Sequence, residues 1–180
     1  EAEIIPYFQL DRMIEAAFDT ARRLFGLDFQ ERKDIPVYHP DVRVWDVTRG
    51  GEHIGLFFGD YFARPSKRGG AWMSSFRDQE NIEGKITPII INTCNFPKTN
   101  PALLNFDEAK TLFHEFGHAL HGLLSNVRFP RLAGTNVARD FVELPSQIFE
   151  HWLEEPAVLE KFAVHVETGK PMPKALLEKL

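Results

Sequence analysis

Cysteine is almost absent from this 180-residue sequence, in which Cys94 is the single example. One cysteine cannot form a disulfide within the chain, which favours a reducing, cytoplasmic setting and a buried, unreactive Cys94. Long apolar runs are also lacking. No segment is long enough to span a membrane, and residues 1–30 contain no signal-peptide core. We therefore expect neither a disulfide framework nor a membrane anchor.

Clusters of basic residues are missing as well. The 21 Lys and Arg residues are scattered among 26 Asp and Glu residues, and the net charge is −5. This distribution offers no attractive patch for nucleic acid or an anionic membrane, so we expect neither partner. With 43% hydrophobic and 26% charged residues, the composition is that of one ordinary globular unit over residues 1–180.

Apolar spacing divides the first half of the chain into a helix and a sheet. Residues 7–25 have apolar positions at helical intervals, and Gly26 follows as a C-terminal cap. Alternation over residues 42–47, a turn at 49–51 and an apolar run at 53–62 predict a hairpin whose second strand is central in the sheet. A further buried strand is predicted at residues 88–92.

Another strand is predicted at residues 69–73, and it begins with a pair of glycines. Gly69, Gly70, Ala71 and Trp72 suggest an edge strand against which an extended peptide can pair. An ordinary bulge or turn explains the glycines equally well.

The segment from Phe106 to Leu124 carries the strongest chemical signal. Its apolar residues recur at helical intervals, which predicts a buried helix containing the motif HEFGH, residues 114–118. Residues four apart share a helix face, so His114 and His118 can bind one zinc ion. Glu115 is rotated by roughly 100° and can act as a base toward a water at the open coordination position.

A catalytic zinc site needs a third protein ligand, and several residues compete for that role. His121 lies about 10 Å along the helix axis from His114, which is too far for a shared ion. The metzincin pattern is excluded because His121 and Leu124 occupy its glycine and histidine places. A second helix is predicted to begin near Asp140. On it Glu143 and Glu150 share a face, so either can bind the metal while the other supports a histidine.

The sequence closely resembles the thimet oligopeptidase family of zinc metallopeptidases, and within it the peptidyl-dipeptidase branch. The similarity lies in YHPDVRVW, FFGDYFARPSKRGGAWM, residues 92–95, FHEFGHALHGLL and GTNVARDFVELPSQIFEHW, and so covers nearly the whole chain. The resemblance implies that Glu143 is the third ligand, with Glu150 and Asp140 beside the ligands. It also favours substrate contact at residues 69–72.

The resemblance implies a fold and an activity. The expected fold is α+β: a small, twisted, mostly antiparallel sheet followed by zincin-type helices, cut from a larger, mainly helical peptidase. The expected activity is zinc-dependent hydrolysis of short peptides with release of C-terminal dipeptides. Internal cleavage by an oligopeptidase is the near alternative, and a non-catalytic zinc- or peptide-binding fragment is a more distant one. In the family, a histidine and tyrosines that follow the FVE segment help to bind the carbonyl, and we expect them beyond residue 180.

Overall fold

Five strands form one mixed sheet in the order β1-β2-β3-β5-β4. The computed structural model describes residues 2–178 and residue 180. Three of the four strand pairs are antiparallel, and only β3 and β5 run parallel. The strands are β1 Leu27–Glu31, β2 Arg43–Arg49, β3 Glu52–Phe62, β4 Trp72–Arg77 and β5 Ile89–Phe96.

Helices precede and follow the sheet in the chain. They are α1 Leu10–Phe25, α2 Phe106–Leu123, α3 Leu144–His151, α4 Pro156–Phe162 and the short α5 Lys174–Leu177. In the part of the chain that the structure describes, no helix combines the length and the apolar character needed to cross a membrane. The structure thus has the combination of a mostly antiparallel sheet and several helices that was expected.

The two faces of the sheet bury different sets of side chains because neighbouring residues of a strand point to opposite sides. On one side Trp45, Phe57 and Ile90 join the main core, which also contains the apolar faces of α1 and α2. On the other side Val44, Phe58 and Ile91 belong to a small separate cluster. Helix α2 therefore packs against the face of the sheet that carries the main core.

Several predicted boundaries were wrong. The strand expected at residues 69–73 begins only at Trp72, and Gly69 and Gly70 lie in the preceding loop. Gly70 has φ of +90°, which is not the backbone of a strand. The helix expected from Asp140 begins at Leu144, after a series of turns. β1 was not predicted at all, and β5 runs four residues beyond its expected end at residue 92.

Local interactions fix the position of α2. Asn105 caps the helix, because its side chain accepts a hydrogen bond from the Glu108 backbone N–H at 2.8 Å while the Glu108 carboxylate accepts one from the Asn105 N–H at 2.9 Å. Farther along, Gly122 packs against the movable side-chain ends of Ile90 and Met73, which would lie 2.7 and 2.8 Å from a Cβ at this position. The helix therefore lies directly on β5 and β4.

Candidate metal centre

The two histidines of the HEFGH motif face the same direction from α2. Their ring centroids are 4.8 Å apart and the rings are nearly perpendicular. His118 is buried, whereas a quarter of the His114 side chain is exposed. This arrangement follows from their spacing of four residues on a regular helix.

Glu143 reaches the same point from the turn that leads into α3. Its Oε2 lies 3.2 Å from Nε2 of His114 and 3.2 Å from Nε2 of His118. One ligand atom from each of the three residues falls within 4.8 Å of the others. About half of the Glu143 side chain is exposed, so solvent has access to the group. Two imidazole nitrogens and one carboxylate oxygen form a donor set that suits zinc.

Glu150 contacts the opposite side of His114. Its Oε1 is 2.5 Å from Nδ1 of His114, which leaves Nε2 directed at Glu143. A carboxylate in this position fixes the ring orientation and makes the ligand nitrogen more basic. Asp140 is exposed, and among the described residues no hydrogen bond or ion pair joins it to the histidines.

Glu115 is a buried carboxyl group beside the cluster. Burial raises its pKa to about 7, and the neighbouring Glu143 acts in the same direction, while the His114 charge opposes the shift. Within the described part of the chain, its Oε2 is buried and has no hydrogen-bond partner. A carboxyl group with a pKa near neutrality and a free oxygen has the properties of a general base.

The burial of the histidines also favours metal binding. The pKa of His118 is lowered, chiefly because burial disfavours the imidazolium form. Only the neutral ring can bind a metal ion, so His118 is held in the form that a ligand requires. His121 lies one turn farther along α2, outside the three-residue cluster. Its ring packs edge-on near that of Phe141, with the ring centroids 6.3 Å apart.

The residues predicted to contact substrate lie in the loop before β4 and at the start of that strand. Gly69 and Gly70 are exposed, and the Asn95 side chain donates to the Gly70 carbonyl at 2.7 Å. Trp72 opens β4, an edge strand, and its ring lies beneath the guanidinium of Arg68 at 4.9 Å. Over the described residues, no hydrogen bond or ring contact links residues 69–72 to the metal-ligand cluster.

Two residues at the site were missed by sequence reasoning. The Ser146 hydroxyl has two acceptors on Glu143, Oε2 at 3.0 Å and the backbone carbonyl oxygen at 2.9 Å, and Gly117 packs against the Ser146 backbone. Ser146 lies three residues after Glu143, a spacing at which side chains meet on a helix. Gly117 is an isolated glycine in an otherwise helical pattern, which often marks close packing.

Comparison with known proteins identifies the family of the chain. The family model described as Peptidase family M3 matches residues 1–180. The chain belongs to Peptidase family M3.

Individual relatives give the same result. A dipeptidyl carboxypeptidase of Salmonella typhimurium is 52% identical over 185 residues, which cover 100% of this chain and 27% of that protein. The dipeptidyl carboxypeptidase of Escherichia coli is 51% identical, with the same coverage of each chain. Oligopeptidase A of Escherichia coli is 41% identical over 187 residues, which cover 100% of this chain and 28% of the relative. The chain thus spans little more than a quarter of the length of these curated relatives.

Proposed function

We propose that this chain carries the zinc site of a peptidase that hydrolyses short peptides and releases C-terminal dipeptides. The observation that carries the proposal is the meeting of His114, His118 and Glu143 at one point, with the buried Glu115 beside them. An HExxH motif on one helix and a glutamate from the turn before a second helix would suit a zincin-type site, which supports this proposal.

The chemistry follows from the roles of these side chains. His114, His118 and Glu143 would hold the ion, and Glu150 would orient His114. A zinc ion bound there would polarise the scissile carbonyl and make a water more acidic. Glu115 takes a proton from the attacking water as the water oxygen bonds to the carbonyl carbon. Glu115 then gives that proton to the amine nitrogen as the C–N bond breaks.

Replacement of Glu115 by Gln tests this assignment. The amide keeps the shape of the side chain but cannot accept the proton, so we expect zinc to remain bound while turnover falls by about 10²–10⁴-fold. Glu154→Gln is the matched control, because it removes one carboxylate that pairs with Lys110 on the surface at 3.2 Å. Metal content and peptide turnover are measured for both variants. Full activity of Glu115→Gln would exclude Glu115 as the base.

Cleavage inside a peptide is the second candidate activity, and the 41% identity to a protein named oligopeptidase A favours it. The two activities differ in whether they need a free C-terminal carboxylate. One peptide is therefore compared in its free and C-terminally amidated forms, with products identified by mass spectrometry. Release of a dipeptide from the free form alone supports the first activity, whereas equal internal cleavage of both forms supports the second.

A non-catalytic zinc- or peptide-binding role is less favoured, since binding zinc alone does not require a buried carboxylate in the Glu115 position. We also propose a cytoplasmic location, which the single buried cysteine supports. Cell fractionation with an antibody to the chain tests the location. Recovery in an oxidising compartment would contradict it.

The activity assay must include a longer polypeptide. Because the curated relatives are nearly four times as long, we expect the 180-residue chain to bind zinc but to be a poor peptidase by itself. A fluorogenic peptide is offered to the zinc-loaded chain and to a polypeptide extended at both ends. Equal turnover would show that all of the catalytic groups are already present within residues 1–180.

A further inference from the structure

Ser146 occupies a fully buried position directly behind the third metal ligand. The residue has 0% of its surface exposed, although it lies in the first turn of α3 and carries a polar side chain. Its hydroxyl lies 3.0 Å from Oε2 of Glu143 and 2.9 Å from the Glu143 backbone carbonyl oxygen. The contacted carboxylate oxygen is the same one that lies 3.2 Å from both histidine nitrogens.

This contact matters because, among the described residues, Oε2 of Glu143 otherwise approaches only the two histidine nitrogens. Its side chain is about half exposed and makes no capping hydrogen bond at the start of α3. An unrestrained glutamate side chain samples several rotamers. A metal site that needs one of these rotamers loses affinity, because fixing the side chain costs conformational entropy. The Ser146 hydroxyl has one proton for two acceptors, and when it donates to Oε2 it favours the rotamer that turns this oxygen toward His114 and His118.

Gly117 allows Ser146 to reach this place. A Cβ on Gly117 would lie 2.7 Å from Cα of Ser146, 3.0 Å from Cβ of Phe149 and 3.0 Å from the carbonyl oxygen of Pro145. Two of these three atoms belong to the backbone of α3, so no side-chain rotation can make room. Any larger residue at position 117 must push α3, with Ser146 and Glu143, away from α2.

We propose that Gly117 and Ser146 form a positioning pair for the third ligand. Gly117 sets the distance between α2 and α3, and Ser146 turns the Glu143 carboxylate toward the ion. The proposal rests on the zinc site proposed above and adds two residues that do not touch the metal.

The zinc affinity of this chain tests the pair. Ser146→Ala removes the hydroxyl with little change of volume, and we expect zinc to bind about 10- to 100-fold more weakly, the usual effect of removing a residue that supports a ligand. The visible spectrum of the cobalt-substituted protein should change, since it reports the geometry around the metal. Gly117→Ala should lower zinc affinity further.

Matched variants separate positioning from general stability. Ser125→Ala removes a hydroxyl that bonds to the His121 carbonyl oxygen at 3.0 Å and does not contact the cluster. Gly122→Ala places a Cβ on the same helix, but its nearest neighbours are the movable side-chain ends of Ile90 and Met73. Both controls should retain the zinc affinity and cobalt spectrum of the unchanged protein. Thermal unfolding of the metal-free variants measures the purely structural cost.

The outcomes distinguish this proposal from the one on which it rests. If the unchanged protein binds no zinc, the proposed function fails. If the unchanged protein binds zinc and Ser146→Ala binds it equally well with the same cobalt spectrum, only the positioning pair is refuted. The pair is also refuted if Ser125→Ala weakens zinc binding as much as Ser146→Ala does.

Discussion

Replacing the buried Asp60 with Asn should destabilise the protein and remove part of its response to acid. Asp60 lies on β3 with 0% exposure. Its carboxylate accepts hydrogen bonds from the Tyr38 hydroxyl at 2.6 Å and from the Arg64 guanidinium at 2.7 and 2.6 Å. The ammonium group of Lys67 is 2.9 Å away and is also buried.

The pKa of Asp60 gives the size of the acid effect. Burial by itself raises this pKa, but the hydrogen bonds from Arg64, Tyr38 and Lys67 outweigh it and lower the pKa to about 2. Relative to an ordinary aspartate at about 3.9, a shift of roughly two units corresponds to about 2–3 kcal/mol. Because the unfolded chain binds the proton first, this stabilisation is complete above about pH 4–5 and is lost as pH falls toward about 2.

Asp60→Asn should also lower the free energy of unfolding at neutral pH. An amide at position 60 leaves the buried Lys67 and the adjacent Arg64 without their counter-ion, and breaking a buried pair in this way costs about 3–5 kcal/mol. Lys67 keeps three carbonyl acceptors, on Asp60, Phe62 and Cys94, at 2.6–2.9 Å. We therefore expect Asp60→Asn to lose about 3 kcal/mol at pH 7, at the lower end of that range.

Urea unfolding from pH 7 to pH 2 measures both effects. The unchanged protein should lose about 2 kcal/mol more than Asp60→Asn between pH 4 and pH 2, so the two stability curves should converge in acid. Asp28→Asn is the control, since Asp28 forms an exposed pair with Arg22 and such pairs contribute about 0–1 kcal/mol. Parallel curves for the unchanged protein and Asp60→Asn would refute the assignment of the acid response to this carboxylate.

Three further predictions concern the metal site, α2 and the cysteine. Glu143→Ala should abolish tight zinc binding, whereas Glu150→Ala should weaken it about 10- to 100-fold in a chelator titration, and the reverse order would exchange the roles of the two glutamates. Asn105→Ala should lower the free energy of unfolding by about 1 kcal/mol in urea, because it removes the cap of α2; an unchanged value would mean that the cap is redundant. Burial raises the pKa of the Cys94 thiol, so a thiol reagent at pH 8 should modify only the unfolded protein, and rapid labelling of the native chain would contradict the buried position.

Elements with strong periodicity could be predicted from the sequence. The predicted span of α2 differs from the observed one by a single residue at its end. The agreement is close because a continuous apolar face and a capping residue define the helix locally. β1 has only two apolar residues, Leu27 and Phe29, and owes its existence to antiparallel pairing with β2. β4 has an exposed second half and lies at the edge of the sheet, so its residues carry little burial pattern. Strands that depend on distant partners leave a weak local signal.

The same distinction applies to the metal site. The placement of His114, Glu115 and His118 follows from helix geometry, which the sequence contains. Spacing could not separate Glu143 from Glu150, because both fall on one face of a helix that was expected to start too early. The structure places Glu143 near both Nε2 atoms and Glu150 at Nδ1 of His114. The contact between Gly117 and Ser146 depends on how two helices pack, and no local pattern specifies it.

The described residues supply a base and metal ligands but no tyrosine hydroxyl aimed at a developing oxyanion. Tyr7 packs edge-on against His165, Tyr38 donates to Asp60, and Tyr61 is buried in the core. Loss of one oxyanion donor typically costs about 10²–10³ in rate, so a site that lacks this group binds metal far better than it turns over substrate. Solvent exposure also weakens electrostatic stabilisation at the site. Water around the half-exposed Glu143 screens interactions that would be stronger in a closed cleft. Among the described residues, we therefore expect metal binding to depend on the contact between α2 and α3, which brings Glu143 to His114 and His118.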